Sequence, residues 1–212
     1  MASVTRRARA ANDADIGLTM EERLQFALER LLARGQTITA IAVDALAREA
    51  GIARATFYLH FRDKGELVAR LFARVEDEVV GAGGLWFVHA EDARFEDLRA
   101  AMARFFDAYM KHHAILAAAA ETAPYDSQVA ALHKRMLERF AGESSQAVQR
   151  IAASGRAHAA LPSMVADVLS WSVNHTYVQY GKGLHEAERE AFIDSWTHVV
   201  WHSIFAAKEV TR

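Results

Sequence analysis

Residues 38–67 read ITAIAVDALAREAGIARATFYLHFRDKGEL, and this stretch decides the fold. Val43, Leu46, Ala47 and Ala50 recur at the spacing of one buried helical face, so Val43 to Ala50 is expected as a short helix. Gly51 ends it, because the position just past a helix often needs a positive φ that glycine adopts without strain. Ile52 fills the space between two helices, and a second short helix follows from Arg54 to Phe61. That helix displays Arg54, Thr56, Tyr58 and His60, each able to donate hydrogen bonds to phosphates or base edges. Helix, glycine turn, helix and the basic residue Lys64 together spell a helix-turn-helix. Upstream, Thr19 and Glu22 form a capping-box pair opening a helix from Thr19 to Arg34 that buries Leu24, Ala27, Leu28, Leu31 and Leu32 and ends at Gly35. The three helices make one small domain.

The run AGIARATFYLHFRDK at Ala50 to Lys64 resembles the DNA-binding domain of the TetR (tetracycline repressor) family of bacterial regulators, whose pattern is AGI-x-x-x-TFY-x-HF-x-x-K. The resemblance is specific over about Thr37 to Val75; the rest of the chain shares length and helical texture. It implies that the second helix of the motif enters a major groove of an operator in double-stranded DNA. It also implies that Thr56, Tyr58 and Lys64 hold the DNA backbone and that Arg54 and His60 approach bases or phosphates; Val43 and Ala55 complete the candidate set. One departure stands out. The family usually has Ser or Thr before the recognition helix; here Ala53 leaves it without a side-chain N-cap worth about 1 kcal/mol.

With 212 residues, two prolines, no cysteine and 52% hydrophobic residues, the composition points to an all-α soluble protein with a substantial core. The lack of cysteine excludes disulfides, thiol catalysis and cysteine-based zinc sites, and fits the cytoplasm. No apolar run is long enough to predict a membrane span. Residues 1–70 carry 11 Lys/Arg against 9 Asp/Glu and the remainder 14 against 18, a slightly basic front on an acidic body. The expected organisation is a flexible basic arm over 1–18 (Arg6, Arg7, Arg9), the helix-turn-helix domain over 19–63, and a helical ligand-binding and dimerisation domain over 64–212.

Asp63 and Glu66 signal a helix from Lys64 to about Val80, the natural lever between the parts. GAGG at 81–84 reads as a hinge loop with a mobile segment to about Asp92. Helices are expected at Phe95–Lys111, Ala114–Glu121, Asp126–Ala153, Pro162–Tyr180 and Ala187–Glu209, with Pro162 in a first turn. The last two are apolar around most of their circumference, which predicts a homodimer built by packing this pair against its copy, as the family resemblance also implies; Val200 and Ile204 are taken as interface positions.

A candidate effector site gathers Leu98, Met102, Phe105 and Tyr109 from one helix, Leu137 and Phe140 from the long one, and Trp171, Asn174 and Tyr177 at three-residue spacing. Asn174 is the polar anomaly, an amide among aromatic and branched neighbours that needs a partner. The set resembles the aromatic ligand channel of the family's ethionamide-resistance-regulator branch, and implies a small hydrophobic or amphipathic effector. Of ten histidines, His198 and His202 have helical ligand spacing but no accompanying carboxylate, so no metal site and no cofactor are expected. No HExxH, GxSxG or Walker sequence is present, and an enzyme is not expected. The two readings are a dimeric, ligand-responsive regulator acting as a repressor, and a helical small-molecule- or partner-binding protein whose helix-turn-helix is vestigial.

Overall fold

A computed structural model describes residues 18–180 and 183–206. The basic arm with Arg6, Arg7 and Arg9 lies outside the described residues. Among those described there are ten helices: α1 (Met20–Ala33), α2 (Val43–Glu49), α3 (Arg54–His60), α4 (Lys64–Gly81), α5 (Leu85–Val88), α6 (Phe95–Lys111), α7 (His113–Thr122), α8 (Ser127–Ala153), α9 (Val165–Tyr180) and α10 (Glu186–Ile204).

The first three form a unit around Leu24, Leu28, Ile38, Ile41, Leu46, Phe57 and Phe61, all essentially inaccessible to solvent. Thr19 and Glu22 make the expected capping box on α1. Between α2 and α3, Gly51 sits at φ +66°, and the amides of Gly51 and Ile52 donate to the carbonyls of Arg48 and Ala47. This is a Schellman ending, which requires the left-handed residue. A Cβ on Gly51 would also stand 2.8 Å from the Arg23 guanidinium, which donates to the Gly51 carbonyl.

α4 leaves this unit and packs along α7 and α8, so one rigid rod belongs to both parts. Asp63 caps it by accepting from the Glu66 amide at 2.9 Å. In the body, α9 lies mainly on α8 and α10 mainly on α6. Arg99 ties α6 to α10 through Glu190 (2.5 Å) and Asp194 (2.6 Å), and Arg189 reaches Asp107 at 2.7 Å.

Three sequence expectations need correction. The segment after GAGG is no mobile loop: it forms α5, and Trp86 and Phe87 are buried in the body core. The glycines permit this, since a Cβ on Gly83 would collide with the Phe87 ring. Arg156 fastens the stretch after α5, donating to the carbonyls of Glu91 and Ala93. Pro162 is not in a helical first turn; its carbonyl closes a turn to the Val165 amide and α9 begins there. The last helix stops at Ile204, because Phe205 turns extended and bridges to Ala157.

Candidate nucleic-acid interface

α3 is anchored by one side and open on the other. Phe57 is fully buried, against Phe61 at 5.3 Å between ring centroids. Arg70 donates to the His60 carbonyl and lies over the Phe61 ring, fixing the far end. The outward face presents Arg54, Ala55, Tyr58 and Leu59, with His60 at its end; Thr56 and Val43 are half-buried beside it. Leu59, 81% exposed, escaped the sequence reading. Its spacing opposite Phe57 is the signal, and an exposed apolar side chain there could meet a thymine methyl. Arg54 donates to both oxygens of Asp44 (3.0 and 3.1 Å) and lies 5.4 Å from the Tyr58 ring centroid. Asp44, also unread in the sequence, therefore holds the guanidinium in place on this face. As the alanine there predicts, Ala53 makes no side-chain cap on α3, and Ala42 makes none on α2.

Lys64 is placed differently from its expected role. Its ammonium donates to the carbonyls of Ile38 (2.6 Å), Thr39 (2.9 Å) and Ile41 (2.6 Å). All three protons are thereby committed to the protein, and desolvation lowers its pKa. In this conformation it holds the turn before α2.

In the body, Leu98, Met102, Phe105, Tyr109, Leu137, Phe140, Asn174 and Tyr177 are all buried in one apolar cluster or against it. Trp171 does not join them; it is 48% exposed on the outer side of α9. Residues spaced by three drift about 60° per step on a helix of 3.6 residues per turn, so positions 171 and 177 face different ways. The amide of Asn174 is answered from within the protein, since the Tyr109 hydroxyl donates to its Oδ1 at 2.5 Å. The Tyr177 hydroxyl donates to the Met102 carbonyl at 3.2 Å. Burial pushes both phenols upward, keeping them protonated donors.

A narrow cavity of about 30 Å³ does open in this core, lined by Trp86, Phe87, Met102, Phe105, Phe140 and Val173 among others. Three of the expected effector residues line it. Asn174, Tyr109 and Tyr177 do not. Trp86 and Phe87 were missed because four glycine-rich positions before them read as a loop. His198 and His202 bring their rings to 4.2 Å, yet among the described residues no group of three or more metal-ligating side chains assembles. Nor, among the described residues, is any helix long and apolar enough to cross a membrane.

A short, buried-backed helix with a polar outer face, presented by a Schellman turn and two supporting helices, defines a helix-turn-helix DNA-binding protein. Residues 32–71 match the family described as bacterial regulatory proteins, tetR family. Comparison with curated protein sequences gives no match. Among solved structures, a bacterial regulatory protein in the tetR family from Rhodococcus RHA1 is similar with a TM-score of 0.70 at 12% identity, over 90% of this chain and 100% of that one. The ketosteroid transcriptional regulator KstR2 of Mycobacterium tuberculosis gives 0.65 at 18% identity, over 90% and 97%. SmeT, the repressor of the Stenotrophomonas maltophilia multidrug efflux pump SmeDEF, gives 0.64 at 17% identity, over 92% and 94%. These identities speak for the shared fold alone. Residues 32–71 thus match the tetR family of bacterial regulatory proteins, and the chain as a whole shares the fold of these TetR-family structures; members of that family are ligand-responsive, DNA-binding transcription regulators.

Proposed function

We propose that this chain is a dimeric repressor that binds a palindromic operator and is released from it by a small, largely apolar effector. The observation that carries the reading is the outward face of α3, where Arg54, Ala55, Tyr58 and Leu59 stand free of the core while Phe57 anchors the opposite side. Residues 19–63 would read DNA and residues 64–212 would bind the effector and dimerise. Two copies of α3 related by a twofold axis would enter successive major grooves, so half-sites should lie one helical turn, about 34–36 Å, or a multiple apart.

The dimer surface we favour is the exposed stripe of Met164, just before α9, Val168 and Trp171 on α9, and Val199 on α10. Val200 and Ile204 are not part of it. They are buried within the single chain, at 6% and 3% exposure. For the effector we favour the cavity beside Met102, Phe105 and Phe140. Ligand pockets usually occupy about 300–1,000 Å³, so an effector would have to part these rings and displace α5, which comes directly after α4. A hundredfold loss of operator affinity needs only about 2.7 kcal/mol of coupling.

The alternative, a vestigial helix-turn-helix, draws on the missing caps at Ala42 and Ala53 and on Arg54 being paired with Asp44. Selection of duplexes from random sequence by the full chain separates the two. An enriched inverted repeat supports the repressor reading, and no enrichment supports the alternative.

A further inference from the structure

Residues 37–41 lead from α1 into α2, and they are gripped from two sides by opposite charges. On one side the amides of Ile38 and Thr39 donate to the Glu121 carboxylate at 3.1 and 2.9 Å, and the Thr39 hydroxyl donates to it at 2.5 Å. On the other, the Lys64 ammonium takes three carbonyls of the same stretch. Glu121 belongs to the last turn of α7, and Lys64 is the first residue of α4. One turn thus carries a carboxylate of the body on its N–H side and the ammonium of the connecting helix on its carbonyl side.

The helices downstream depend on such anchoring. α2 and α3 have seven residues each, well below the length at which a helix sustains itself in water. Neither has a side-chain N-cap, the positions being Ala42 and Ala53. Among the described residues, Glu121 is the one side chain from beyond α4 that hydrogen-bonds to the segment 35–60. Hydrogen bonds to a charged group are roughly twice as strong as neutral ones.

We propose that Glu121 is a positioning residue for DNA reading: it supplies from the body the anchoring carboxylate that α2 and α3 lack, so that displacing the last turn of α7 frees the reading helices. The inference rests on α3 being the DNA-contacting helix. It requires that loss of the carboxylate loosen residues 38–60 ahead of the body, and that this loosening weaken operator binding.

The test compares wild type with Glu121→Ala and the milder Glu121→Gln, whose amide oxygen still accepts but carries no charge. Hydrogen exchange is read by segment, thermal unfolding alongside, and affinity by fluorescence anisotropy on a duplex that the wild-type protein selects from random sequence. For Glu121→Ala, exchange should rise about tenfold or more at Ile38 and Thr39 and spread through 43–60, while α8 keeps its protection; affinity should fall about tenfold. Glu121→Gln should lie between. Unchanged exchange over 43–60, or a loss shared equally by α8, would overturn the proposal, since the latter marks general destabilisation. If the wild type selects no duplex, the DNA-binding reading fails, and the exchange pattern still decides whether Glu121 holds α2 and α3.

Discussion

Tyr109→Phe and Asn174→Leu probe a side-chain hydrogen bond buried deep in the body. Both residues are nearly inaccessible, and the Tyr109 hydroxyl donates to Asn174 Oδ1 at 2.5 Å. Removing the hydroxyl leaves the amide oxygen unpaired among apolar neighbours; removing the amide leaves the hydroxyl without its acceptor. Either should cost about 1–3 kcal/mol. For a chain of this size that is about 2–12 °C in Tm. The Tyr109 ring keeps its contact with Tyr177, 5.3 Å between centroids, so Tyr109→Phe isolates the hydrogen bond. In the double variant both partners are gone, and most of the loss should be recovered, because replacing both ends of a buried bond by apolar groups is nearly neutral. Calorimetric or circular-dichroism melting of the four proteins gives the coupling energy. Strictly additive losses, or an Asn174→Leu variant as stable as wild type, would refute the assignment of Asn174 as a structural partner of Tyr109.

Sedimentation velocity should show dimers for the wild type and monomers of unaltered fold for Val168→Asp, whereas Val200→Asp should fail to fold, because it buries an unpaired charge at a cost of several kcal/mol; a dimeric Val168→Asp would remove α9 from the interface. Lys64→Met should lower Tm and leave the salt dependence of operator binding unchanged, since its ammonium is engaged by protein carbonyls; a slope reduced by about one phosphate contact would return Lys64 to the DNA. Burial works to raise the Glu121 carboxyl, but hydrogen bonds from Thr39 and Ile38 outweigh it and hold the pKa below its ordinary value of 4.5. A carboxyl lowered by folding stabilises fully above its unfolded pKa and loses that contribution as pH falls through the folded one. Protection of the Ile38 and Thr39 amides, corrected for intrinsic exchange, should therefore stay flat from about pH 8 to about pH 5.5; a decline inside that range would mean that another group controls the turn.

Much of this molecule was legible in the sequence because local physics agreed with the fold. The capping box at Thr19, the glycine at 51 and the apolar stripes of α4, α6 and α8 each require only their own neighbours to be read. The hidden features depend on residues far apart in the chain. Trp86 and Phe87 come after four loop-like residues, and their burial rests on distant rings, Phe205 against Trp86 and Phe105 and Phe140 against Phe87. The partner of Asn174 lies 65 residues away in Tyr109, so an amide that looked addressed to a ligand is satisfied in the core. Lys64 carries the charge a phosphate contact needs, and nothing in its own segment reveals three carbonyls waiting around it. Trp171 shows a limit of periodicity itself: three-residue steps look like one face but drift around the helix.

The central claim is that α3 reads DNA sequence, and it is tested most directly by fluorescence anisotropy at fixed salt, comparing the selected duplex with a scrambled one for wild type and Arg54→Ala. The account predicts wild-type binding tighter on the selected duplex by about 10³-fold or more. Arg54→Ala should lose discrimination at particular base pairs while retaining salt-dependent binding to both duplexes. Equal wild-type affinity for the two duplexes would contradict it.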